Sequence, residues 1–337
     1  MTSAAQLAAS PWPHRWAVVL ACATFPLVWV GGLVTTTDAG MAVPDWPTTY
    51  GYNLFLYPWQ TWLSGPWDLF VEHGHRLLAA MVGMIAMGLV AVFWRCESRR
   101  WVRGLGWGAL ALVIAQGVLG GMRVLLNERS LAMFHGCTGP LFFALCVTLA
   151  VVTSNRWQQS NGLVTSPTAP LVRWLAVAVC VLVYLQIVLG AVLRHVPVDG
   201  APATFAMALR FHLAMAAVVT IHIGLLAWLV HRYFRAVTHL HRLSMLLAAL
   251  VALQLALGAA TWVVKFSVPV WASSWWPGEV PTTQAGGWFQ AHMITAHVAG
   301  GSLVLAAAVA LALAAMRQLA APVAGAHTNN HQLKVAT

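Results

Sequence analysis

Fixed charge is what this sequence has least of. Lys, Arg, Asp and Glu make up 8% of its 337 residues, and only eight of those are acidic. A soluble domain carries about 25% charged residues, so a globule that must cover its surface with polar groups is excluded. Cysteine is scarce as well. The five, Cys22, Cys96, Cys137, Cys146 and Cys180, form no CxxC pair, so neither a zinc framework nor a disulfide scaffold is expected. Four fall in apolar runs and Cys96 in a basic loop. The first apolar run has no small-residue cleavage site and reads as a retained helix. The net charge of +10 does not point to nucleic acid, because the basic residues sit in short loops between apolar runs.

What is there is hydrophobic: 60% of the chain. Crossing the hydrocarbon takes about 20 apolar residues, and eight segments qualify: 16–35, 73–93, 104–125, 131–152, 172–193, 207–230, 243–265 and 289–316. Arg95, Arg99, Arg100 and Arg103, then Arg232, Arg235 and Arg242, then Arg156, Arg173, Arg15, Arg317 and Lys334 fall on one side, which the positive-inside rule makes cytoplasmic. Asp38, Asp45, Asp68, Glu72, Glu128, Asp199 and Glu279 fall on the other, and only Glu97 is inside. Both termini are then cytoplasmic, in a multi-pass protein of the cell (inner) membrane with lipid as its surroundings.

The chain also repeats itself. Gln116-Gly-Val-Leu-Gly120, Gln186-Ile-Val-Leu-Gly190 and Gln254-Leu-Ala-Leu-Gly258 lie in the third, fifth and seventh segments, and Gly31-Gly32 in the first is a degenerate copy. The expected fold is all-α: eight transmembrane helices as two pseudo-symmetric four-helix bundles in parallel repeat. Residues 1–152 form one bundle, 153–170 a cytoplasmic linker, 171–316 the second bundle and 317–337 a cytoplasmic tail.

Each even segment carries a histidine near its start: His75, His135, His212 and His297. Each is followed four residues later by a small residue, Ala79, Gly139, Ala216 or Gly301. Positions i and i+4 share a helix face, which leaves room for a flat macrocycle. Two histidines on facing helices can supply both axial ligands of a haem iron in a bundle core. A lone membrane histidine is more often hydrogen-bonded to a neighbouring helix; four in a repeated pattern favour ligands. His73 and His292 point away from the neighbouring ligand histidine by helix geometry. His222 reads as a satisfied buried histidine. Glu72, three residues before His75 and four before Arg76, breaks the symmetry, because Leu209 and Ile294 hold that place in the other half. It is a surface ion pair, a charge near a helix N-terminus, or a carboxylate that stabilises developing positive charge.

With these features the sequence resembles the haem A synthase family over residues 16–316. Glu72-His-Gly-His75-Arg76 matches the family's Glu-x-x-His-Arg motif, and Gly40-Met-Ala-Val-Pro44-Asp45-Trp46-Pro47 resembles the signature of its first outer loop. The resemblance implies oxidation of the C8 methyl of haem O to the formyl of haem A, with the oxygen coming from water. His75 and His135 would flank haem O, and His212 and His297 would ligate haem b. Glu72 would stabilise a cationic intermediate or accept protons, and Arg76 would pair with Glu72 or with a propionate. Implied partners are a haem O synthase as supplier, an electron acceptor such as quinone, and a second copy in a homo-oligomer; nucleic acid is not among them. One departure stands out: two cysteines common in that loop are replaced by Val43 and Thr49. The competing expectation is a di-haem b-type cytochrome exchanging electrons with quinone, which accounts for the histidines but not for Glu72 or the loop.

Overall fold

The computed structural model describes residues 10–159, 163–197, 200–269, 275 and 286–322; the sides assigned to Asp199, Glu279 and Lys334 concern positions outside them. Ten helices follow in order among the described residues: α1 (Trp12–Thr36), α2 (Trp59–Ser64), α3 (Trp67–Cys96), α4 (Arg100–Leu126), α5 (Arg129–Thr153), α6 (Asn155–Gln159), α7 (Ala169–Arg194), α8 (Pro202–Phe234), α9 (Thr238–Phe266) and α10 (Trp288–Gln318). All but α2 and α6 are long and apolar enough to cross a membrane. The protein is an all-α integral membrane protein, with one spanning helix for each expected segment.

The helices outrun the apolar segments that announced them, because polar residues also join their first and last turns. α3 starts six residues early, and Asp68, expected in a loop, lies in its first turn. There its Oδ1 accepts the Leu69 N–H at 2.9 Å, a placement the positive end of a helix favours. Cys96, expected in a loop, is the last residue of α3. α8 begins at Pro202, whose missing N–H costs nothing in a first turn. The expected linker holds α6 and a two-residue strand, β1 (Val164–Thr165), paired in parallel with β2 (Leu319–Ala320).

α1, α3, α4 and α5 pack in a ring, each on the next, and so do α7, α8, α9 and α10. The rings meet along α1, α5, α7 and α10. The tightly buried apolar clusters fill only one end of each ring. In the first they run through Leu20, Leu89, Phe93, Val102 and Leu149. In the second they run through Val172, Ile223, Phe234, Leu247 and Leu311. This is the arginine end, beside Arg99 and Arg103. At the opposite end, which carries the 37–66 segment and is termed the loop end, only a small cluster of Leu33, Val34, Val71 and Ala291 joins α1, α3 and α10. The interior of both rings near the loop end is therefore left to other groups, among them the four histidines.

Candidate functional site

His75, His135, His212 and His297 stand in the second or third turn of α3, α5, α8 and α10, all toward the loop end. They meet in two pairs. The His75 and His135 ring centres are 6.5 Å apart at 87°; those of His212 and His297 are 6.3 Å apart at 79°. Each ring also lies against a glycine of the preceding spanning helix. A Cβ on Gly31 would stand 2.9 Å from His75 Cε1, and one on Gly120, 3.3 Å from His135 Cε1. In the second half the distances are 3.1 Å for Gly190 and His212, and 3.0 Å for Gly258 and His297. The glycines of the sequence repeat are thus the surfaces on which the rings rest.

The glutamine of each repeat copy touches the adjoining histidine helix. Gln116 Nε2 donates to Thr138 Oγ1, and Gln254 Nε2 donates to the His297 carbonyl at 2.6 Å. Gln186 Nε2 lies 3.2 Å from His212 Nδ1, while its Oε1 is buried without a partner. The same Nε2 is 3.3 Å from His212 Nε2, so the amide lies across both ring nitrogens; turned over, its Oε1 accepts from whichever ring N–H the tautomer provides.

The chemistry of the donor set is specific. Nδ1 of His75, His135 and His297 is buried with no hydrogen-bond partner, an arrangement that costs roughly 1–3 kcal/mol per group unless a ligand or solvent answers it. Two imidazoles that each bring a nitrogen to about 2 Å from one metal ion have ring centres about 6 Å apart. No group of three or more His, Cys, Asp or Glu side chains gathers among the described residues, so a bare ion would lack ligands. A pair of axial imidazoles suits an ion that brings its own equatorial ring, as in haem, and the residues present fit that group in both halves.

Glu72 is not a surface pair. It is 3% exposed, and both its oxygens are held: Oε1 by Arg76 Nη2 at 2.8 Å and Oε2 by the Val43 N–H at 3.1 Å. Arg76 also donates to the carbonyls of Asp45 at 2.7 Å, Thr48 at 2.9 Å and Val43 at 2.7 Å. With those bonds made, Arg76 clamps the loop to α3. His73 faces the loop as helix geometry required: its Nδ1 lies 3.0 Å from Thr49 Oγ1, and its ring packs on Tyr57 and Trp62. Val43 and Thr49 are both 0% exposed, and each ties the loop to α3 through these bonds. Asp45 orders the loop itself, accepting from Tyr50 N at 2.8 Å, Gly51 N at 2.9 Å and the Thr48 hydroxyl. Burial pushes its carboxyl up, but these hydrogen bonds outweigh that and hold it below its ordinary value.

The remaining histidines serve elsewhere. His292 donates to Trp288 O at 2.9 Å. His222, expected to be buried, is only half-buried and donates to Val218 O at 2.8 Å. Sequence reasoning passed over Arg123 and Arg194. The signal was present: each follows the glycine of a repeat copy by three or four residues, on the same helix face.

Residues 66–209 match the family described as cytochrome oxidase assembly protein (COX15-CtaA); the match includes His75 and His135 and ends three residues before His212. The chain is 30% identical to the haem A synthase of Symbiobacterium thermophilum over 171 residues, 49% of this chain and 53% of that protein. It is 29% identical to the haem A synthase of Lysinibacillus sphaericus over 188 residues, 54% of this chain and 58% of that protein. It is also 32% identical to the protohaem IX farnesyltransferase of Halobacterium salinarum over 109 residues, 32% of this chain and 22% of that protein. The chain thus spans a little over half the length of the two synthases.

Proposed function

We propose that this chain, 30% identical to a haem A synthase over 53% of that protein, converts haem O to haem A, oxidising the C8 methyl to a formyl group. The carrying observation is the pair of facing imidazoles in each half, 6.5 Å and 6.3 Å apart, each seated on a repeat glycine. The reaction balances as methyl plus water giving formyl, four protons and four electrons. Water supplies the oxygen, and an acceptor of the quinone class in the membrane takes the electrons.

In this reading haem O is the substrate that His75 and His135 would hold, and His212 and His297 would hold haem b, which would supply one-electron transfer. The two halves differ in what surrounds the histidines. Only the first places a carboxylate, Glu72, three residues before its histidine; Leu209 and Ile294 hold that place in the second. Glu72 is buried and oriented by Arg76 and the Val43 amide, so its negative charge needs no reorganisation as positive charge develops on the substrate. Such preorganised charge is worth more in the transition state than in water. The 40–50 loop is clamped to α3 beside this pair through Glu72 and Arg76.

The positive-inside reading puts the loop end outside the cell membrane and both termini in the cytoplasm. Supply of haem O falls to a farnesyl-transferring enzyme in the same membrane. The equal geometry of the two pairs favours one other reading, a di-haem b-type cytochrome. One experiment separates them. Produced in cells that make haem O but no haem A, the chain should yield a pigment bearing the formyl group, identified by mass after extraction. Haem b alone, with haem O unchanged, would leave the electron carrier.

A further inference from the structure

Arg123 and Arg194 have no role in the chemistry above. Arg123 follows Gly120 by three residues on α4, and Arg194 follows Gly190 by four on α7. Each therefore shares a helix face with a glycine that touches a ligand histidine, one turn nearer the loop end. Neither is in an ion pair, those among the described residues being Glu72–Arg76 and Glu97–Arg99, although the charges of Glu72 and Asp38 reach Arg123 without contact. Arg123 Nη2 donates to Gly40 O at 2.6 Å. Arg194 Nη2 donates to Gly32 O at 2.9 Å and to Thr36 Oγ1 at 2.6 Å. A guanidinium has five N–H donors, so most of each fork is left for another acceptor.

Two further observations mark the same level. His195 donates from Nδ1 to Ala191 O at 2.8 Å, and its Nε2 is buried without a partner. Burial first, and then the charges of Arg194, Arg123 and Arg129 against the opposing Ala191 bond, hold its imidazole below its ordinary value. Positive charge from both halves thus collects around His195. On α9, Thr261 follows Gly258 by three residues, and its buried Oγ1 has no partner. Partly buried guanidinium N–H groups left without an acceptor are costly, and a carboxylate with planar oxygens is the acceptor that matches an arginine fork.

Arg76, the arginine that the sequence offered for a propionate, is committed to Glu72 and three carbonyls. We propose that Arg123 and Arg194 are the carboxylate anchors of the two porphyrin sites, one guanidinium for each, with Thr261 Oγ1 donating in the second half. The proposal rests on the haem-binding reading. It places the carboxylates of both porphyrins toward the loop end, near His195, which the charges of both arginines reach.

The test uses the full chain in detergent, made under haem limitation and titrated with haem b or with haem b dimethyl ester, in which both carboxylates are masked. A His75→Ala background lets the second site be read alone. The chain should bind haem b at least tenfold more tightly than the ester. Arg194→Gln should abolish that preference while ester affinity stays the same, which also shows that the variant is folded; Arg194→Lys should keep part of it. Arg123→Gln should do likewise in a His212→Ala background titrated with haem O and its dimethyl ester. Equal affinity for acid and ester in the parent chain, or a preference that survives Arg194→Gln, overturns the anchor assignment and leaves haem binding intact. Binding of neither pigment overturns both.

Discussion

The Cε1 atom of His75 lies 2.9 Å from the point where a side chain on Gly31 would begin. That is too close for any Cβ, so the ring and the glycine define each other. Gly31→Ala should push the His75 ring aside and impair the first site. Forcing a methyl group into a packed position costs about 1–3 kcal/mol. The clearances at Gly258, Gly190 and Gly120 are 3.0, 3.1 and 3.3 Å, so Gly120→Ala should be the mildest of the four. Gly117→Ala is the control, because nothing lies within 4 Å of its Cβ position, and it should be neutral or slightly stabilising. Thermal unfolding and pigment content of the five variants check the order. A Gly31→Ala protein with unchanged pigment would show that the ring does not depend on the glycine.

Glu72→Gln keeps an acceptor for the Val43 amide but removes the charge. It should lower conversion of haem O by about 10²–10³-fold, the usual cost of losing an oriented electrostatic group, while haem b content stays at the parent level. Asp68, one turn earlier in α3, accepts a hydrogen bond from Leu69 N, and Asp68→Asn should be far milder. Limited proteolysis within residues 40–57 separates charge from clamp. If Glu72→Gln loosens the loop as much as Arg76→Met does, the carboxylate acts by holding the loop and the electrostatic role must be dropped.

The eight spans were legible because apolar length is a direct consequence of the bilayer, and the four histidines because they recur at the same place in alternate segments. Helix ends were less so: polar residues such as Asp68 extend helices without altering hydropathy. The seat formed by Gly31, Gly120, Gly190 and Gly258 was visible only as a repeat, since which ring meets which glycine depends on packing between helices. The burial of Glu72 was hidden for a similar reason. Its partners in the loop, Val43 and the carbonyls that hold Arg76, act through the backbone and leave no mark in the sequence.

Asp45 sets a pH dependence for the loop. Its carboxyl is held below its ordinary value of 3.8 by the hydrogen bonds from Gly51, Thr48 and Tyr50, against the effect of burial. A depressed carboxyl stabilises the folded loop above the ordinary value, and that stabilisation is lost as pH falls through the folded-state value. Protease cleavage in 40–57 should therefore rise in strongly acidic solution in the parent chain. Asp45→Asn, which replaces one of the two acceptor oxygens with an NH2 facing the donor or donors on that side, should be cleaved more readily at neutral pH, with little further acid dependence. Equal resistance of parent and variant at neutral pH would show that Asp45 does not order the loop.

The division of labour between the two histidine pairs is tested most directly by pigment analysis of four single variants. His212→Ala and His297→Ala should each lose haem b, since only one imidazole of the 6.3 Å pair would remain to hold it. His75→Ala and His135→Ala should keep most haem b and stop formation of the formyl-bearing haem. Equal loss of haem b from all four variants would contradict the account.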